Sequence, residues 1–271
     1  MNLPRSTYYH KSKSWPDGEK ALIARIEAVI EEFPGYGYRR VALELHRRGH
    51  RDNHKKVLRV MHEQGLLRKP RRRWVRTTNS EHAHRVYPNL AQNLLVTGPN
   101  QLWGADITYI ALRSGFVYLA VILDLFARRV VGHALSRNID TALCLEALRM
   151  ALALRRPPKG IVHHSDRGVQ YASCDYVNEL LANGFRISMA RKGNPYDNAA
   201  SESFLKTLKA EEVYLWEYRT MDDVQNRLPY FLEDVYNRKR LHSALGYVPP
   251  IEFEEMFDNA KSCPVTLTAV V

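Results

Sequence analysis

Apolar positions follow a helical period up to Gly65 and a strand period from Leu102 onward, so the chain predicts two structural regimes. In the first, Leu22, Ile23, Ile26, Val29 and Ile30 share a helical face, with Asp17 placed to cap the helix and Pro34-Gly35 to stop it after about Glu32. A second helix is expected over Arg39–Arg48, carrying Val41, Leu43 and Leu45, with Gly49 as its C-cap. Asn53 is placed to cap a third, His54–Gln64, whose buried stripe would be Val57, Leu58 and Met61 before Gly65 ends it.

In the second regime, Leu102–Ile110, Phe116–Leu123 and Arg129–Leu135 read as strands joined by short connections, a pattern that predicts an antiparallel meander. A helix over Thr141–Leu154, a short strand over Gly160–Ser165, a helix over Asp175–Ala182, a strand over Phe185–Met189 and a long helix over Ala199–Tyr214 complete the expected core. A meander followed by a strand–helix–strand unit describes a mixed five-stranded α/β sheet with flanking helices.

Composition narrows the class. Of 271 residues, 45% are hydrophobic and 25% charged, the balance of a folded globular protein. The longest apolar run, Phe116–Leu123, falls far short of the roughly 20 residues of a membrane span, and Met1–Arg5 carries no signal-like apolar stretch, so a cytoplasmic protein is expected. Three scattered cysteines support neither a disulfide framework nor a thiolate zinc site.

Charge is unevenly spread. Residues 1–99 hold twenty Lys and Arg against nine Asp and Glu, whereas residues 100–271 hold twenty of each, so the whole excess of +11 lies in the first third. The shift suggests a helical module over 1–66, a basic arm over 67–99, a catalytic core over 100–255 and a tail over 256–271. Two short helices joined by a tight turn suit a helix-turn-helix reader of DNA, with Lys55, Lys56 and Arg59 as candidate contacts. A solvated basic face on a small bundle fits that segment equally well. Arg68–Arg76 packs six basic residues into nine, Arg71, Arg72 and Arg73 among them, and a run this dense suits an arm along phosphates. His46, His50 and His54 recur every four residues but straddle Gly49, which argues against a metal stripe.

The chemistry lies in the acidic residues of the second regime. Asp106 falls mid-strand in an apolar segment, Asp166 at the exit of the fourth strand, and Glu202 in the first turn of the long helix. A buried carboxylate needs a cation, a hydrogen-bond network or a cleft; a satisfied structural aspartate is the plain alternative. Three carboxylates on adjacent elements suffice to hold two Mg²⁺ ions, for which Mn²⁺ is a substitute, and such ions can activate an attacking oxygen and stabilise a leaving one. Lys206 and Lys209 follow Glu202 at i+4 and i+7, where they would either face phosphate or form an ordinary surface pair.

The stretches Trp103–Tyr109, His164–Tyr171 and Gly193–Phe204, together with Lys209, Tyr36–Arg40, Asn53–Val57 and Tyr236–Tyr247, resemble the DDE insertion-sequence transposases. More narrowly, they are similar to the B-frame product of two-frame, copy-out–paste-in elements. The resemblance implies an RNase H-like integrase core behind a small all-α, helix-turn-helix-like domain. It also implies Asp106, Asp166 and Glu202 as the catalytic, metal-holding triad, and Lys209 as a contact to DNA near the cut. Double-stranded DNA, both element end and target, is the implied partner, with a homo-oligomer on DNA and an upstream A-frame product or fusion. Ser201 stands where such proteins more often have alanine, and the His–Cys zinc module of retroviral integrases is missing from residues 1–99.

Asp124 is read as structural, Asp197 or Asn198 as the N-cap of the Glu202 helix, and His164 and Gln170 as neighbours of Asp166 that either touch substrate or pack. The rival functional readings are a nuclease on the same fold that cuts without joining, and a DNA-binding regulator. A basic region of 99 residues argues against the first, and three acids at catalytic spacing against the second.

Overall fold

The structure, a computed structural model, describes residues 17–68, 85–113, 115–191 and 198–262. The chain divides into two compact units at residues 69/70, so of the described residues in the expected arm, Leu67 and Arg68 belong to the first and those from Arg85 to the second.

The first unit contains helices α1 (Asp17–Glu32), α2 (Tyr38–Arg47) and α3 (His54–Glu63). Their inward faces bury Leu22, Ile26, Val29, Val41, Leu45 and Val57. Asn53 caps α3 as expected, its Oδ1 accepting the Lys55 N–H at 2.9 Å, and Gly49 and Gly65 end α2 and α3 with positive φ angles of 86° and 69°. One position of the α3 stripe differs. Val60 is fully buried with Val57 and Met61, while Leu58 is only partly buried, because the stripe follows i, i+3, i+4 from Val57.

The second unit is built on five strands, β1 (Leu102–Ala111), β2 (Phe116–Asp124), β3 (Arg129–Ser136), β4 (Val162–Ser165) and β5 (Arg186–Met189), in the order β3-β2-β1-β4-β5. The first three form the expected antiparallel meander, and β4 and β5 add in parallel. One face packs Trp103, Ala105, Ile122 and Val131 against α4 (Thr141–Arg155) and α6 (Cys174–Ala182). A single-turn helix, α5 (Val169–Ala172), precedes α6. The other face packs Ile110, Leu119, Val121 and Leu123 against α7 (Ala199–Leu208) and α8 (Met221–Tyr230). These are the two sides of the apolar alternation in β1 and β2.

The long helix expected over Ala199–Tyr214 is α-helical only to Leu208 and widens into a π turn over Lys209–Val213. The sequence marks the change: Glu211 and Glu212 occupy i+3 and i+4 from Leu208, and the next apolar residue packed on the same cluster is Val213 at i+5. Beyond it, Thr220 and Asp223 form a reciprocal capping box that starts α8. The last helix, α9 (Pro250–Ser262), spans the expected core–tail boundary at 255/256. Its Glu254 forms ion pairs with Arg155 and Arg129, and Arg155 also pairs with Asp124 at 3.0 Å. Both Asp124 oxygens are engaged, Oδ2 by the Asn100 N–H at 2.7 Å and Oδ1 by the Phe126 N–H at 3.0 Å. Asp124 is therefore the structural aspartate the sequence suggested.

Helix α4 lies very close to β3 at Gly132. A Cβ there would stand 2.2 Å from the Ala147 carbonyl oxygen and 2.8 Å from the Ala151 Cβ. Gly132→Ala should therefore destabilise the second unit by about 1–3 kcal/mol. Thermal unfolding followed by circular dichroism checks this, and an unchanged melting temperature would refute the close approach.

Candidate active site

The site follows from where the sheet stops pairing. Strand β1 pairs with β2 as far as Ala111, but with β4 only from Leu102 to Gly104. Beyond Gly104 its other edge is open, and Asp106 is the second residue along it. Strand β4 ends at Ser165, so the next residue, Asp166, emerges beside that opening. Gly104 admits no side chain: a Cβ would meet Ser201 Oγ at 2.9 Å and Leu125 Cδ2 at 3.1 Å. Through this contact α7 lies close to β1, and Glu202 follows in its first turn. Ser201 is fully buried and its Oγ has no hydrogen-bond partner among the described residues. The hydroxyl thus contributes contact rather than bonding, which is consistent with alanine fitting at this position.

The carboxylates interact. Loss of water around Asp106, then the charge of Asp166 and next that of Glu202, push its pKa up to about 8. Two hydrogen bonds act the other way: the Ile107 N–H donates to Oδ1 at 2.8 Å, and Asn198 Nδ2 donates to Oδ2 at 3.1 Å. Asn198 does stand at the N-cap position of α7, yet its side chain makes no capping bond. Its amide is committed to Asp106 instead. Asp197 and the rest of residues 192–197 lie outside the described residues.

Asp166 is fixed by a tight turn. Its Oδ1 accepts the Gly168 N–H at 2.9 Å, and a Cβ on Gly168 would meet that oxygen at 2.9 Å. Between them Arg167 donates from Nε to the Ala190 carbonyl at 2.8 Å, tying the turn to the end of β5. His164 is buried with Nδ1 and Ser188 Oγ 2.8 Å apart, so it packs within the sheet. Gln170 lines the cavity beside the two aspartates and reaches the Ile139 carbonyl at 3.2 Å.

The two lysines after Glu202 part company. Lys206 pairs with Glu202 at 3.4 Å and keeps 74% of its side chain exposed, the ordinary surface pair. Lys209 opens the π turn, and its ammonium lies 4.5 Å from the centre of the Tyr109 ring. Partial burial lowers its pKa, while the charge of Asp106 acts to raise it. Tyr109 has no role in the sequence reading, although it ends the Trp103–Tyr109 motif. Its position three residues after Asp106 on the open strand was the available signal.

Among the described residues, no group of three or more His, Cys, Asp or Glu stands close enough to hold a metal ion by itself. The arrangement nevertheless suits a hard divalent cation. Its donors are carboxylate oxygens, and both the loss of water and the like charges that raise Asp106 are penalties a cation would offset.

In the first unit, Lys55 is exposed at the start of α3. Lys56 lies 3.7 Å from Asp52, and Arg59 pairs with both Glu19 and Glu63. Arg71, Arg72 and Arg73 lie outside the described residues.

This sheet order, with acidic residues at its open edge and a trihelical module preceding it, defines an integrase core behind a helix-turn-helix-like domain. Family models agree: an HTH-like domain matches residues 17–74, and two integrase core domain models match 96–195 and 183–250. The chain belongs to the family of insertion-sequence transposases. It is 39% identical to the insertion element IS600 31 kDa protein of Shigella sonnei, over 95% of this chain and 97% of that protein. It is 37% identical to the transposase of insertion sequence element IS904 of Lactococcus lactis, over 91% and 98%. In fold it is similar to a chain of the simian T-cell lymphotropic virus intasome, solved in complex with PP2A regulatory subunit B56 gamma. That match has a TM-score of 0.50 and 18% identity over 84% of this chain and 73% of that one.

The raised Asp106 pKa fixes the sign of a pH effect. Unfolded, the group titrates near 3.9; folded and free of metal, near 8. Between these values the native state holds the extra proton, so stability falls as pH rises through the window. Denaturant midpoints in EDTA should decline from pH 5 to pH 8 for the wild type and decline less for Asp106→Asn. Equal slopes would show that the Asp106 carboxyl is not raised in the folded protein.

Proposed function

We propose that this protein is a DDE transposase that cuts the 3′ end of an insertion sequence and joins it to target DNA, with Mg²⁺ as cofactor. The observation that carries the reading is the placement of Asp106 on the one stretch of β1 that β4 leaves open, with Asp166 emerging from the end of β4 beside it. The charges of both Asp166 and Glu202 are felt by Asp106 in addition to its loss of water. Asp106, Asp166 and Glu202 would hold the cation, or two of them, sharing it with phosphate oxygens of the substrate. When bound, Mg²⁺ supplies activation of an attacking oxygen and neutralisation of charge on a leaving one.

The chain's own residues supply positioning. Asn198 holds Asp106 through its amide, Gly168 holds Asp166 through its N–H, and the α7–Gly104 contact sets the helix that bears Glu202. Lys209, seated on Tyr109 near Asp106, presents a cation where a DNA phosphate adjoining the carboxylates would lie. Double-stranded DNA is the proposed partner of both units. The helical module and basic arm contribute sequence-independent grip through Lys55 and Arg71–Arg73, and Lys206 adds to it at the core. The active form is proposed to be a homo-oligomer on DNA that works with an upstream A-frame product.

Asp166→Asn should reduce Mg²⁺-dependent joining of a labelled 3′-hydroxyl end to a target plasmid by at least 1,000-fold while leaving the melting curve near that of the wild type. Joining at the wild-type rate would overturn the proposal. Hydrolysis by the wild type without any joined product would favour the nuclease reading.

A further inference from the structure

A cavity of about 260 Å³ adjoins the carboxylates and shares Asp106 and Asp166 with them; its remaining wall includes Ile107, Tyr109, Tyr118, Ile139, Gln170 and Tyr171. We propose that this cavity receives a single unstacked nucleobase, from the nucleotide next to the phosphodiester held at the carboxylates. The inference rests on the transposase reading and specifies how that site would grip its substrate.

Size is the first argument. The cavity falls below the roughly 300–1,000 Å³ of pockets that enclose whole drug-sized ligands, and suits one flat ring system. Its chemistry is the second. Among the described lining residues the charged ones, Asp106 and Asp166, are the carboxylates that would be engaged with the cation, and the remaining rings and aliphatic chains favour a neutral, flat occupant. The aromatic wall is ordered. Tyr109 and Tyr118 are register partners on β1 and β2 and so project from the same face of the sheet. Phe116 braces the Tyr109 ring edge-on, 5.3 Å between centres at an interplanar angle of 90°. Position is the third argument. A phosphodiester at Asp106 and Asp166 has its own nucleoside at the cavity, with the Lys209 ammonium over the Tyr109 ring beside it. Stacking on aromatic side chains tolerates any base, and one such contact is worth roughly 5- to 150-fold in binding. A base can reach the cavity only by leaving its own stack, as in enzymes that extrude a nucleotide.

The test uses the full chain with Mg²⁺, a duplex carrying the element end, and a target duplex, each also made with one abasic nucleotide at successive positions beside the reacting phosphate. Ile139 is 36% exposed, so Ile139→Trp can fill the cavity from its rim. On intact DNA this variant should join at least 10-fold less than wild type. At one abasic position the joining should return to within about twofold of wild type on the same DNA. Relief by an abasic element end assigns the base to the end, and relief by an abasic target assigns it to the target. Unchanged joining by Ile139→Trp on intact DNA, or a loss that no abasic position relieves, would overturn the proposal. If Ile139→Trp fails to fold, Tyr118→Leu takes its place: it weakens joining of intact DNA and matches wild type at the same abasic position, and equal weakening on every DNA refutes the cavity. A wild type that neither cuts nor joins any of these substrates would instead sink the transposase reading.

Discussion

The architecture of the core depends on a mismatch of strand lengths. Strand β1 runs ten residues, but β4 is four residues long and pairs with it only through Gly104. A sheet edge left open inside a packed unit exposes polar backbone, and here the opening is occupied by acidic side chains. Asp106 comes from β1, Asp166 from the turn after β4, and Glu202 from a helix brought close by the absence of a side chain at Gly104. Burial first, and then the like charges of Asp166 and Glu202, disfavour the charged form of Asp106 and raise its pKa. The surroundings answer with an amide from Asn198, two backbone N–H groups and the Lys209 ammonium, none of which supplies the charge of a divalent cation.

Stability and chemistry are served by different acidic residues. Asp124 and Glu254 are buried with Arg155 and Arg129 in a network that joins β2, α4 and α9. Removing one member of such a network strands its partner's charge and costs about 3–5 kcal/mol. Asp106 is held instead by an amide and a backbone N–H, Asp166 accepts the Gly168 N–H, and Glu202 pairs with Lys206. The zero net charge of residues 100–271 therefore includes carboxylates that are compensated within the fold, Asp124 and Glu254 among them.

Much of this was legible in the sequence. The five strands stand out as short runs rich in apolar and β-branched residues bounded by turn residues, as expected of a sheet covered by helices on both faces. Asn53, Gly49 and Gly65 marked helix ends through backbone chemistry that is local and therefore readable. The carboxylate spacing and the motifs around it identified the family. What escaped is what depends on contacts between distant elements. The widening of α7 into a π turn at Lys209 shows only as a five-residue step from Leu208 to Val213, a single irregularity that a helical period passes over. The amide of Asn198 bonds across the site rather than along its own helix, so a capping rule assigned it to the wrong partner. The cation–π seat of Lys209 on Tyr109 joins residues 100 positions apart, and the α8 and α9 helices were passed over although Thr220, Asp223 and Pro250 carried start signals for them.

The central claim is that the three carboxylates at the open edge of β1 form one cation site. Crystals of the full chain grown with Mn²⁺ and measured at the manganese absorption edge test it most directly. The account predicts an anomalous peak bridging the carboxylates of Asp106 and Asp166, with Glu202 ligating the same ion or a second one beside it. Ordered carboxylates with no peak between them, in crystals whose Mn²⁺ binds elsewhere on the chain, would contradict it.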